Sequence, residues 1–159
     1  MRRVATACLL AVAMTVLAPA PASAQAVDTT QLSLSGFSGA FPTPTVAQVD
    51  AGIVPAGSQL TFTITNLFKK NLVTATIYIA ASAATIGGTK SSGDVQWRLS
   101  PSGTFVGLTT TNALVGTYNV PQTIGASVSG SLDLQMLVRW TDPPATYSGT
   151  NIIITMTVP

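Results

Sequence analysis

Apolar and polar residues alternate along four long segments of the chain. A period of two residues puts successive side chains on opposite faces of a β-strand. The polar positions are rich in threonine, which favours strands and stays compatible with water. We therefore expect antiparallel strands with one face in a core and the other in solvent. The apolar members of the four runs are Leu60, Phe62 and Ile64; Val73, Ala75, Ile77 and Ile79; Val128, Gly130, Leu132, Leu134, Met136, Val138 and Trp140; and Ile152, Ile154, Met156 and Val158.

Shorter runs predict five further strands, at residues 30–37, 46–54, 94–99, 104–109 and 113–120. Turn-forming Pro, Gly and Ser residues separate them. A domain of this length needs two packed faces, so we predict an all-β fold, an immunoglobulin-like antiparallel β-sandwich. The large side chains Trp97, Trp140 and Phe62 are the candidates for its centre.

Residues 1–24 have the pattern of a cleavable signal peptide. Arg2 and Arg3 precede an apolar run at residues 4–18, and Ala22-Ser23-Ala24 supplies the small residues of a cleavage site. Cleavage before Gln25 is the first choice and cleavage before Val27 the alternative. The run is shorter than the about 20 residues that span a bilayer, so we expect export to the periplasm, cell surface or exterior without a retained membrane span.

The rest of the chain divides into an N-terminal strand or arm at residues 25–45 and a β-sandwich domain at residues 46–159. In the first segment Leu32 and Leu34 alternate with polar residues. Such a strand can pair within its own domain, which is the commoner arrangement. Alternatively, it can act as a donor strand that adds to the open sheet edge of a neighbour.

Removing the signal changes the charge balance. Arg2 and Arg3 are two of the seven Lys and Arg residues, and without them basic side chains equal the five acidic ones in number. A neutral chain has no basic patch of the kind that nucleic-acid binding needs. The single cysteine, Cys8, leaves with the signal, so we expect a protein without disulfides.

Candidate chemistry is scarce. The chain contains no His, which excludes Ser-His-Asp triads and zinc sites built on imidazole. The aspartates show no calcium-loop spacing and no obvious pair for glycoside hydrolysis. Lys90-Ser91-Ser92 is interpreted as the tip of a Gly/Ser-rich hairpin rather than a Ser-Lys nucleophile. We expect no enzymatic activity, no catalytic residues, no metal site and no cofactor.

Three residues are candidates for surface contact. Lys69 and Lys70 lie between two strong strands, where a two-lysine turn could touch anionic lipid or polysaccharide, although a solvated turn is the commoner arrangement. Tyr78 alternates outward with threonines and is the most credible exposed aromatic. A glycan is therefore an alternative partner.

The C-terminal sequence carries a resemblance. The segment W-T-D-P-P-A-T-Y-S-G-T at residues 140–150, followed by alternating Ile and Thr, predicts a strand, a proline-stiffened hairpin and a closing strand. Over about the last 20 residues it resembles bacterial secreted pilin-like proteins of the spore-coat-U and fimbrial-subunit group. The resemblance implies a structural cell-surface subunit with an immunoglobulin-like domain and no catalytic residues. Many such subunits carry a cysteine pair, which this chain lacks.

These observations favour an exported structural or adhesive surface protein, a pilin-like subunit acting through strand edges. Its partner would be itself or another surface subunit, joined by strand addition. The alternative function is a secreted carbohydrate- or ligand-binding β-sandwich module.

Overall fold

The structure is a computed structural model that describes residues 30–67, 73–86, 90–142 and 152–159, together with the backbone of residues 8–11. Within these residues there are one short helix, α1, one short 3-10 turn at Ser92–Asp94, and twelve strands. In chain order the elements are β1 (Cys8–Ala11), β2 (Thr30–Gly36), α1 (Val46–Ala51), β3 (Ile53–Pro55), β4 (Leu60–Asn66), β5 (Val73–Ala81), β6 (Thr85–Ile86), β7 (Lys90–Ser91), β8 (Val95–Leu99), β9 (Val106–Gly107), β10 (Ala113–Val120), β11 (Ser127–Leu137) and β12 (Ile152–Thr157).

The strands form antiparallel sheets, as the sequence predicts. One sheet has the order β1-β12-β5-β10, and a larger sheet has the order β2-β4-β11-β8-β9, with β3 also paired to β11. Strands β6 and β7 form a separate two-stranded hairpin. Every described pairing is antiparallel.

One cluster of buried side chains contains residues from both large sheets. Phe62 of β4 and Met136 of β11 are fully buried on one side, and Ile77 and Ile79 of β5 are fully buried on the other. These are the apolar positions of the alternating runs. The period-two pattern therefore predicts correctly which faces are removed from water.

Gly130 shows how closely the core is packed. It lies opposite Phe62 in the β4–β11 pair, and a Cβ atom added at Gly130 would overlap the ring of Phe62. Because Gly130 has no side chain, the Phe62 ring can occupy the space above it.

Of the two tryptophans predicted for the centre, only Trp97 is buried. Trp140 is 67% exposed, so its assignment to the core is wrong. Strand β11 ends at Leu137, three residues earlier than the alternation suggests, and the chain then turns. The indole Nε1 of Trp140 donates a hydrogen bond to Asp50 Oδ1 over 3.1 Å.

The predicted strand at residues 46–54 is also wrong for most of its length. Its first part is α1, and only Ile53–Pro55 is a strand. Thr45 caps the helix by accepting from the backbone N–H of Gln48, and the Gln48 side chain accepts from the Thr45 backbone in return. This reciprocal pair satisfies donors at the helix N-terminus. Gly52 ends the helix with φ +74°, a left-handed conformation that glycine adopts without a steric penalty.

As far as the described residues go, β11 and β12 do not pair with each other in the predicted C-terminal hairpin. β11 belongs to the larger sheet, whereas β12 pairs with β5 and β1 in the other sheet. Residues 143–151, which include most of the motif behind the pilin resemblance, lie outside the described residues.

The predicted signal peptide, residues 1–24, also lies outside the described residues apart from β1, whose backbone pairs with β12 from Cys8↔Met156 to Ala11↔Ile153. Among the described residues, no helix has the length and apolar character to cross a bilayer.

Candidate functional site

The residues predicted for surface contact are not all described. Tyr78 lies in the middle of β5, between Thr155 of β12 and Leu114 of β10, and is half-buried. Lys69 and Lys70 lie outside the described residues. Tyr78 is therefore placed on a sheet face flanked by a threonine and an exposed leucine.

The predicted donor-strand residues Leu32 and Leu34 lie in β2, at the end of the larger sheet. β2 pairs with β4 of its own chain without a register shift, from Thr30↔Asn66 to Gly36↔Leu60. Both leucines are half-buried and pack against the hydrophobic core. Among the described strands β2 pairs only with β4, and within that part of the chain no strand covers its other edge.

Two other edge strands, β9 and β10, differ from β2. β9, at the far end of the same sheet, has only two residues. β10 is eight residues long, but its pairing with β5 shifts register between Leu114 and Gly116, which marks a bulge. Short length and bulges both hinder further strand addition. β2 has neither feature, and its sequence TQLSLSG contains no charge and no proline.

A groove of about 470 Å³ lies beside β8 and β11, next to the loop at residues 55–58. Its polar wall contains Gln59, Arg98 and Asp133, and Phe105 supplies an aromatic ring. Arg98 Nε donates to Asp133 Oδ2 over 2.9 Å, and Gln59 Nε2 donates to Asp133 Oδ1 over 2.7 Å. The Arg98 guanidinium carbon lies 4.6 Å from the centroid of the Phe105 ring.

Asp133 is the negative centre of this groove. Burial by itself would raise the pKa of Asp133, but hydrogen bonds from Gln59, Arg98 and Ser100 and the charge of Arg98 outweigh it and lower the pKa. The carboxylate is therefore ionised at neutral pH. Among the described residues it is the only carboxylate that lines the groove. The groove is equipped to form hydrogen bonds and ring contacts.

A second charged cluster surrounds Lys90, at the start of β7. The Lys90 side chain is only 1% exposed, and its ammonium lies 2.7 Å from Asp142 Oδ2 and 3.0 Å from Asp94 Oδ2. We call Lys90, Asp94, Arg139 and Asp142 the lysine cluster. Residues 90–92, predicted as the tip of a hairpin, are instead strand β7, which pairs with β6, and the first residue of the 3-10 turn. Lys90 is buried and is bound by carboxylates.

The two carboxylates of the lysine cluster, Asp94 and Asp142, are each positioned by a backbone turn. Asp94 ends the 3-10 turn that follows β7, and Arg139 Nη2 lies 3.5 Å from its other oxygen. Asp142 closes a turn after β11, in which its N–H donates to the Arg139 carbonyl and its Oδ2 accepts from the Arg139 N–H over 2.8 Å. Burial would raise the pKa of Asp142, but hydrogen bonds from Lys90 and the Arg139 amide outweigh it and lower the pKa.

Sequence reasoning missed both the groove and the lysine cluster. Lys90 and Asp94 stand four residues apart, but Asp142 lies 52 residues further along than Lys90. In the sequence pattern, Asp133 is recognisable only as a polar position on the outer face of a strand. No local motif connects either aspartate with its partner, so neither site has a signal in a single sequence.

Among the described residues, no group of three or more His, Cys, Asp or Glu side chains could hold a metal ion. No protein-family model matches the chain, and no curated protein matches it significantly.

Proposed function

We propose that the protein is an exported structural or adhesive subunit, built on an immunoglobulin-like β-sandwich, that associates with further copies of itself through the open edge of β2. The sandwich is supported by the two antiparallel sheets that share one buried cluster. Its function would depend on backbone edges and sheet faces rather than on catalysis. The pilin-like resemblance of the C-terminal sequence points the same way.

The observation that carries this proposal is the regular, uncharged edge of β2. An unprotected edge is a template for pairing with another chain. Two copies of β2 can pair antiparallel about Ser33, which would place Leu32 of one copy opposite Leu34 of the other. Such a pairing is self-complementary and joins two sheets around a twofold axis.

Export is supported by the basic, apolar and small-residue regions of residues 1–24. In the full chain β1 covers the outer edge of β12. Cleavage before Gln25 would remove β1 and leave β12 as the edge of the smaller sheet. A mature subunit would then have a second apolar edge, so dimers formed at β2 could extend into longer assemblies.

Size-exclusion chromatography with light scattering tests association at β2. We expect the protein without residues 1–24 to form dimers or larger assemblies as its concentration rises. Ser33→Lys, which puts a charge on the edge strand, should abolish association at β2 and leave nothing larger than a dimer joined at β12. The matched control Thr117→Lys puts the same charge on the bulged strand β10 and should leave association unchanged. A strict monomer at all concentrations, unaltered by deleting residues 25–45, would show that the proposal is wrong.

A second candidate function, glycan binding, is favoured by the groove beside β11. Gln59, Arg98 and Asp133 offer donors and acceptors to sugar hydroxyls, and Phe105 offers a ring face for stacking. We expect any glycan-array signal to fall on Phe105→Ala and to persist on Tyr78→Ala. No binding by the wild-type protein, or loss only on Tyr78→Ala, would exclude the groove as the binding site.

A further inference from the structure

We propose that Lys90 and Asp142 join through an intramolecular amide bond, formed by the folded chain itself with Asp94 as the proton carrier. The product would be a covalent brace between the β6–β7 hairpin and the turn that follows β11. The inference does not depend on the proposed assembly function. The only cysteine of the chain is Cys8, so this bond would provide the cross-link that a disulfide cannot.

The geometry brings together an amine, a carboxyl group and a second carboxyl group. Lys90 Nζ lies 2.7 Å from Asp142 Oδ2, close enough for its nitrogen to approach Cγ with little movement. Asp94 Oδ2 lies 3.0 Å from the same nitrogen. The aspartate side chains are 14% and 18% exposed, and the lysine is 1% exposed, so bulk water has little access to the reacting amine.

The bond-forming step needs no external reagent. A proton passes from the Lys90 ammonium to the Asp142 carboxylate, which gives a neutral amine and a carboxylic acid. Nζ then adds to Cγ, and Asp94 takes a proton from the nitrogen and returns it to the departing hydroxyl. The C–N bond forms, the C–O bond breaks, and one water molecule leaves without any oxidation or reduction.

The backbone assists at the carboxyl carbon. The Arg139 N–H donates over 2.8 Å to Asp142 Oδ2. Because Oδ2 takes the lysine proton and departs as the hydroxyl, a fixed amide donor at this oxygen stabilises the negative charge that it gains as the C–O bond breaks. Arg139 thereby acts through its main chain, while its side chain lies 3.5 Å from Asp94 Oδ1 and helps to position the proton carrier.

The ionised pair is the resting state, because the pKa of Asp142 lies below its ordinary value. The reaction therefore passes through a minor neutral pair. Burial lowers the free energy needed to convert the ionised pair into the neutral pair. The reason is that an ion pair loses more solvation than a neutral pair when water is excluded. The bond, once formed, removes both buried charges, so we expect the linked form to accumulate slowly after folding.

Tryptic digestion of the denatured full chain followed by mass spectrometry tests the proposal. Trypsin cuts after Lys70, Arg98 and Arg139, but not after a lysine whose amine is in an amide bond. We expect residues 71–98 to be recovered joined to residues 140–159, lighter by one water molecule than the two separate peptides. Complete cleavage after Lys90, with residues 140–159 at their unmodified mass, would overturn the proposal. This result needs no variant to fold.

Three variants separate the roles of the groups. Lys90→Arg retains the positive charge but removes the amine nucleophile, and should give no linked peptide. Asp94→Asn retains the shape but removes the proton carrier, and should slow linkage about 100-fold. Linkage at the wild-type rate would contradict the role of Asp94. Arg98→Lys places a lysine beside Asp133 in the more open groove, where we expect no bond; a bond there would contradict the role of burial.

Discussion

The lysine cluster and the groove contain the same kinds of groups but differ in their access to water. In both, an aspartate with a lowered pKa accepts hydrogen bonds from a cation. The Lys90 side chain is 1% exposed, whereas the Arg98 side chain is 32% exposed. A buried cation depends on its partners for stability, while a half-open one can exchange a protein partner for water or a ligand. We therefore expect the lysine cluster to stabilise the fold and the groove to be the site that can accept a ligand.

The largest effect is expected from a buried charge that has no oppositely charged partner. Met136→Asp puts a carboxylate at a fully buried core position. We expect the free energy of unfolding to fall by about 5 kcal/mol or more, which is comparable with the entire stability of a small domain. Circular dichroism and urea denaturation should show an unfolded chain. A folded, soluble variant would mean that β11 does not present this face to the core.

The next effect tests the lysine cluster. Lys90→Met removes the cation and leaves Asp94 and Asp142 facing each other, so we expect a loss of about 3 kcal/mol in the free energy of unfolding. Urea denaturation monitored by tryptophan fluorescence measures it. A loss below about 1 kcal/mol would place Lys90 among ordinary surface ion pairs.

The matched change in the groove should be milder. Arg98→Met also removes one cation beside an aspartate, but both side chains there reach water. We expect a loss of less than about 1 kcal/mol in the same denaturation experiment. If Arg98→Met destabilises the protein as much as Lys90→Met, solvent access does not explain the difference between the two sites.

The smallest expected effect is on the free energy of unfolding at low pH. The pKa of Asp133 is lower in the folded chain than its ordinary value of about 4. The ionised Asp133 therefore stabilises the folded chain above about pH 4, and this stabilisation is lost as the pH falls through the folded-state pKa. Asp133→Asn should flatten this part of the curve of unfolding free energy against pH. Asp142 adds to the same loss only in chains where its carboxyl group is free. An unchanged acid slope in Asp133→Asn would show that other carboxyls control the transition.

Much of the fold was predictable because alternation is a local property of strands. The buried positions of β4, β5 and β11 follow from their period of two. Trp140 was assigned to the core because the pattern gives no sign of where β11 ends. The helix α1 was missed even though Thr45 and Gln48 have the spacing of a capping box. Its six residues are too few to show a helical period.

The candidate sites were not predictable for a different reason. Lys90 and Asp142 meet only because the β6–β7 hairpin and the turn after β11 are brought together by the fold. Gln59, Arg98 and Asp133 come from three segments in the same way. A sequence pattern reports which face a residue occupies, but it does not report which distant residue faces it.

The span of the lysine cluster has a consequence for folding kinetics. Asp142 lies 52 positions after Lys90, and the segment between them includes β8, β9, β10 and β11. Closing so large a loop before those strands pair would cost chain entropy with little in return. The lysine should therefore stay hydrated until the larger sheet has formed. Its dehydration should be one of the last steps in folding and should precede any bond between Lys90 and Asp142.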